Sequence, residues 1–162
     1  MKRIWIYVVL AVLSAGFALW WFSPVQMLKR RTVSLLETLT LDSGRLRNGS
    51  QLAAYSLNAL LASEVELETP TIEQASGTFA REELESAFSW LCGQARQTRF
   101  ELENFESVTV SGDTGEVACV LKALVELPSV RPADGIYQAR FSWRRVDDKW
   151  RLERAIWTEA KR

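Results

Sequence analysis

The sequence predicts one α+β domain behind a single N-terminal membrane-spanning helix. Three observations predict it: a charge-free apolar run over residues 4–22, three segments of helical apolar spacing, and then long segments in which apolar and polar residues alternate. With residues 1–23 assigned to the anchor, residues 24–162 remain, 139 in all. That is a normal size for one core and too few for two domains.

Lys and Arg together number 20, as do Asp and Glu. Lys2 and Arg3 precede the apolar run, so residues 23–162 carry 18 basic against 20 acidic side chains. A near-neutral domain lacks the clustered basic surplus that binds nucleic acid, and no such partner is expected. Histidine is absent, which removes the commonest metal ligand and any Ser-His-Asp or Cys-His pair. Neither a metal site nor a cofactor is expected. Acid–base chemistry would fall to carboxylates, Tyr or Lys.

Ile4 to Phe22 is 19 residues without a charge, a helix of roughly 28 Å, about one hydrocarbon thickness. Trp5 and Tyr7 stand near one end and Trp20, Trp21 and Phe22 at the other, where amphipathic rings favour the headgroup region. A signal peptide cleaved after Ala18 is the rival reading. It would leave Leu19, Trp20, Trp21 and Phe22 as an apolar N-terminus, so the anchor is preferred and the membrane is an expected partner. Lys2 and Arg3 are balanced by Lys29, Arg30 and Arg31 beyond the span; the export-like start favours an extracytoplasmic C-terminal domain over the reverse orientation.

Ser23-Pro24-Val25-Gln26 reads as a helix start, with Ser as cap and Pro at the first position. Leu28, Leu35, Leu36 and Leu39 continue it to Leu41, before Asp42-Ser43-Gly44. A second helix follows Asn48-Gly49-Ser50, with Ala53, Leu57, Leu60 and Leu61 on one face. Val65 and Leu67 alternate with glutamates in a short strand that ends at Thr69-Pro70. Over Phe79 to Gln97, residues Leu84, Ala87, Phe88, Leu91, Cys92 and Ala95 form one apolar face that must pack on something. Truncating Leu91 is then expected to cost about 2 to 5 kcal/mol.

Four alternating strands complete the chain: Arg99 to Ser111, Glu116 to Leu127, a third carrying Tyr137, Ala139, Phe141 and Trp143 on one face, and Trp150 to Thr158. Gly112-Asp113-Thr114-Gly115 and Val146-Asp147-Asp148-Lys149 supply two of the turns.

This order, with Gly77-Thr78-Phe79-Ala80-Arg81-Glu82-Glu83-Leu84 at the third helix and Val146 to Thr158 as a final turn and strand, resembles the nuclear-transport-factor-2-like (NTF2-like) superfamily, with its SnoaL-like and ketosteroid-isomerase-like domains. The likeness spans residues 24–162. It implies three helices packed in a curved antiparallel sheet, a cone with a cavity at its open end. Family members use that cavity as enzymes, ligand binders or dimerising scaffolds, so fold alone does not choose among them.

With the apolar strand faces turned inward, the polar residues left on them are Asn104, Glu106, Tyr137 and Arg154, the candidates for lining a ligand cavity. A competing reading places a β-bulge at Phe105 that turns Asn104 and Glu106 to solvent, and makes Arg154 a paired or snorkelling side chain. The resemblance implies a cavity Asp or His as base in the family's enzymes. Here Arg154 and Ile156 stand where many relatives carry His, and no Asp occupies an inward position, so no catalytic residue is assigned. Glu106 with Tyr137 is the one pair on offer as base and electrophile. Trp90 falls off its helix's apolar face and is the interface candidate. Cys92 and Cys119 could meet in the core, although two buried free thiols are preferred.

The expected function is a membrane-tethered, non-enzymatic binding or assembly module, with a homo-oligomer, a protein partner or a small apolar ligand as its counterpart. The layout is similar to that of the single-pass scaffold component of type IV secretion systems. The alternatives are an isomerase- or dehydratase-like enzyme and a lipid-binding domain that uses the cone cavity.

Overall fold

The chain is seen in a computed structural model that describes Trp21 and residues 23–41, 50–69, 76–128 and 132–160. The proposed anchor, Ile4 to Phe22, lies outside the described residues apart from Trp21, as do Asp42-Ser43-Gly44 and Asn48-Gly49. Among the described residues no helix is long and apolar enough to cross a membrane.

Helix α1 is Pro24–Leu39, capped as its sequence predicts: the Ser23 hydroxyl accepts the Gln26 N–H at 3.4 Å, and proline opens the first turn. Leu28, Thr32, Leu35 and Leu36 form its buried stripe. Helix α2, Ser50–Asn58, is shorter than its apolar spacing predicts. Leu60 folds back with its N–H on the Leu57 carbonyl at 2.9 Å, and its own carbonyl accepts the Leu152 N–H at 2.8 Å. Leu61 therefore opens strand β1, Leu61–Glu68. An apolar pair at a helix end satisfies a helical stripe and a buried strand equally well, and pairing with a distant strand decided between them.

Gly77–Ala80 forms a short edge strand, β2, that its sequence did not announce, antiparallel to β1 with Phe79 opposite Val65. Helix α3 is Arg81–Gln94. A meander follows: β3 (Gln97–Ser111), β4 (Thr114–Glu126), β5 (Ala133–Val146) and β6 (Lys149–Glu159). The six strands form one curved sheet in the order β2-β1-β6-β5-β4-β3.

The sheet is mixed, which corrects the expected all-antiparallel arrangement: β1 lies parallel to β6, with Leu67 beside Ala155. The antiparallel meander sets the direction of β6. The long connection from β1 to β6, through β2, α3 and three strands, has no hairpin to force the opposite sense.

The core lies between the three helices and the inner sheet face, with Leu28, Leu35 and Leu36 of α1, Ala54 and Leu57 of α2, and Phe88 and Cys92 of α3 among its members. Val117, Cys119, Leu121 and Ala123 of β4 and Tyr137, Ala139, Phe141 and Trp143 of β5 are all buried, as their alternation predicts. The β5–β6 turn places Asp147 and Asp148 at φ 49° and 60°, the conformation of a two-residue hairpin turn whose twist matches the strands.

The end of α1 is tied to β3 by a buried threonine. The Thr98 hydroxyl donates to the Leu39 carbonyl at 2.6 Å and accepts the Leu41 N–H at 3.1 Å, while Leu41 and Thr98 also pair through their backbones. Thr98→Val keeps the shape and strands the Leu39 carbonyl without its donor. A loss of about 1 to 2 kcal/mol is expected by urea denaturation, the scale of one unsatisfied buried group. An unchanged unfolding midpoint would mean that the backbone pairing of Leu41 with Thr98 and apolar packing hold the helix end without the hydroxyl.

Candidate functional site

Between the helices and the inner sheet face lies a cavity of about 510 Å³, within the range of small-molecule sites. Its floor is Phe141 of β5 with Leu152, Ala155 and Trp157 of β6. The Trp157 ring meets Phe141 edge-on at 6.3 Å and Phe100 edge-on at 5.5 Å, which holds the indole in place. Leu35 and Leu39 of α1 and Leu57 of α2 close one side, and Leu61, Val65 and Leu67 of β1 another.

The remaining wall is α3. Phe88 is buried, Leu84 and Leu91 are half-buried, and Ala87, Trp90 and Glu83 are exposed at the mouth. The apolar face of this helix thus packs into the core through Phe88 and Cys92, while Leu84, Ala87 and Leu91 border the cavity. Its wide stripe was legible as an amphipathic pattern, but a stripe that packs and a stripe that lines a void have the same period.

Glu83 is the one ionisable side chain in the lining among the described residues, and Thr69 is the other polar member. The Glu83 carboxylate is engaged locally: its Oε2 accepts the Ala80 N–H at 2.9 Å and closes the first turn of α3.

None of Asn104, Glu106, Tyr137 and Arg154 belongs to the cavity lining, and β-bulges explain three of the four. In β3 the register slips between Leu102 and Asn104 and again between Phe105 and Ser107. Each slip inserts one residue, so Leu102, Phe105 and Val108 all pack on the core, while Asn104 and Glu106 are exposed. Gln138, on the outer face of β5, donates to Glu106 at 3.3 Å. In β6 the slip opposite Ser142 and Trp143 lets Leu152 and Ala155 both be buried. Arg154 thereby falls on the outer face, with Nε 3.3 Å from Glu66 and Nη2 3.3 Å from Glu68. Tyr137 does point inward, and rests against Trp157 with ring centroids 6.5 Å apart. The Glu106–Tyr137 pair is thus split between the two faces of the sheet.

Trp90 is 63% exposed, the state its helical position predicts, and it stands at the cavity rim. Leu52 and Tyr55 on α2 are exposed as well. Cys92 and Cys119 are both buried free thiols. Burial pushes the Cys119 thiol up to about 11, with the Glu106 charge adding to it, and burial likewise raises Cys92 against its backbone hydrogen bond. Both therefore remain protonated and poor nucleophiles at neutral pH. Among the described residues no three Cys, Asp or Glu side chains gather so as to hold a metal ion.

No family model matches the chain, and no curated protein matches it in sequence. Solved structures do match it in fold. A provisionally named dehydratase of the NTF2-like family from Streptomyces avermitilis superposes with TM-score 0.61 at 17% identity, over 85% of this chain and 96% of that one. A provisionally named aromatic ring hydroxylase from Novosphingobium aromaticivorans gives TM-score 0.66 at 12% identity, over 84% and 88%. An NTF2-like protein with a cystatin-like fold from the same species gives 0.52 at 17%, over 83% and 84%. The chain has the NTF2-like fold, and likeness at this level of identity carries no activity with it.

Proposed function

We propose that this NTF2-like fold serves as a membrane-tethered, non-enzymatic binding module whose cone cavity holds a small apolar ligand. The observation that carries the reading is the lining: 16 of its 18 described residues are apolar, and the two others are Thr69 and Glu83. An isomerase or dehydratase needs a base and a polarising group converging on one substrate atom. The described lining offers a single carboxylate, already engaged by a backbone N–H. The dehydratase-like names of some fold neighbours support the enzyme reading only through shared architecture.

Tethering rests on the apolar run Ile4 to Phe22, which meets α1 at Pro24 after a single residue, Ser23. An anchor that close keeps the domain beside a reservoir of apolar molecules and raises their effective concentration. Assembly is a second reading, favoured by the exposure of Leu52, Tyr55 and Trp90 on the two outer helices.

The test is native mass spectrometry of the full chain released from membranes. A retained apolar adduct is expected, and Ala87→Trp, which places an indole at the mouth, should lower its occupancy about tenfold, the factor that 1.4 kcal/mol gives. No adduct on the parent chain, or the same occupancy in the variant, would remove the ligand reading.

A further inference from the structure

We infer that Glu83 makes the cavity selective for uncharged hydrocarbon-chain molecules over anionic amphiphiles of the same chain length. The inference rests on the ligand reading above and specifies the chemistry of the ligand's polar end.

A helix N-terminus facing a cavity ordinarily attracts an anion, through its unpaired N–H groups and positive dipole end. Here that position is taken by the chain itself: Glu83 Oε2 holds the Ala80 N–H at 2.9 Å, and Glu82 and Glu83 place two carboxylates in the first turn of α3. The adjacent cation, Arg81, has its Nε 3.9 Å from Glu82 and is not part of the lining. Among the described residues the lining holds no Lys or Arg.

A chain seated against Leu84, Leu91 and Trp157 would bring its polar end out past Glu83, Ala87 and Trp90, the exposed part of the lining. A sulfate or carboxylate there meets a like charge beside low-dielectric walls, where repulsion exceeds its value in bulk water. A hydroxyl there can donate to the free lone pairs of the carboxylate, a charge-assisted bond. One side chain thus repels one class of ligand and attracts the other, and specificity is the difference between the two.

Glu83→Gln isolates the charge, because an amide oxygen can still accept the Ala80 N–H and glutamine serves the same capping position. Glu82→Gln is the control, since Glu82 lies in the same turn outside the cavity lining. The probes are a diazirine-bearing hexadecanol and its sulfate ester, which stays anionic. Each is photo-crosslinked to the full chain in membranes, with labelled peptides mapped by mass spectrometry.

On the parent chain the alcohol should label the peptides carrying Leu61–Leu67 and Leu84–Leu91 about tenfold more than the sulfate ester. Glu83→Gln should bring the ratio to near parity, and Glu82→Gln should leave it unchanged. An unaltered ratio in Glu83→Gln, or an equal change in Glu82→Gln, would overturn the inference while labelling inside the cavity still upheld the ligand reading. Absence of cavity labelling by either probe in every variant would overturn the ligand reading itself, and the inference with it.

Discussion

Replacing Phe141 by alanine is expected to remove about 3 to 5 kcal/mol of folding stability, the range for truncating a buried phenylalanine. The ring is fully buried at the centre of β5, between Val117 on β4 and Ala155 on β6. It also braces Trp157 edge-on, so its loss removes packing from both the core and the cavity floor. Against the roughly 5 to 15 kcal/mol that holds a domain of this size together, one such change can leave much of the protein unfolded. Leu91→Ala is the comparison. Leu91 is half-buried and faces the cavity, so its truncation enlarges an existing opening without creating an enclosed void, and the cost falls to about 1 kcal/mol. That is smaller than the roughly 2 to 5 kcal/mol that the apolar stripe alone predicts for a fully buried leucine. Urea denaturation followed by tryptophan fluorescence measures both. Equal costs for the two variants would show that α3 closes onto the sheet and that the cavity is not open in solution.

Gly115→Ala is expected to cost about 1 to 3 kcal/mol by overpacking. A Cβ built on Gly115 falls well inside contact distance of Leu28 Cδ1, and 3.4 Å from its Cδ2 and Cγ. Leu28 is fully buried in the stripe of α1, so relief has to come from its neighbours or the backbone. The close approach lets the β3–β4 hairpin curl over the first turns of α1, and a methyl group there pushes the two apart. Two comparisons make the test specific. Gly93, exposed on α3 with nothing near its would-be Cβ, should gain about 0.5 to 1 kcal/mol as alanine. In a Leu28→Ala background, Gly115→Ala should cost less than in the parent, the non-additivity of residues in contact. Strict additivity would mean that the glycine is needed for some reason other than Leu28.

Residues whose environment is set locally were legible in the chain. The Ser23-Pro24 start of α1 depends on groups within one turn of each other. The alternation on β4 and β5 depends only on a strand's period of two, and both strands are regular along the inner face. The inward placement of Asn104, Glu106 and Arg154 breaks where that period does, and the alternative of a bulge at Phe105 with a paired Arg154 describes their surroundings. A bulge adds one residue and reverses every later side chain. Counting from Leu102 therefore put Asn104 and Glu106 inside, and counting from Leu152 did the same for Arg154. Phe105 was the visible signal in β3, an aromatic of the wrong parity. In β6 the signal was fainter: Ala155 and Trp157, not Arg154 and Ile156, continue the inner face.

By itself the sequence determined the elements with strong, uninterrupted periodicity, the near-neutral charge, the absence of histidine chemistry and an apolar N-terminal run long enough to span a bilayer. Only the tertiary structure decided that β1 runs parallel to β6, that Leu61 belongs to a strand, and that the apolar face of α3 borders a cavity. The physical reason is one of range. Caps, turns and alternation are settled by atoms a few residues apart, whereas strand partners, bulge positions and the filling of a concave face are settled by side chains brought together from the whole length of the chain.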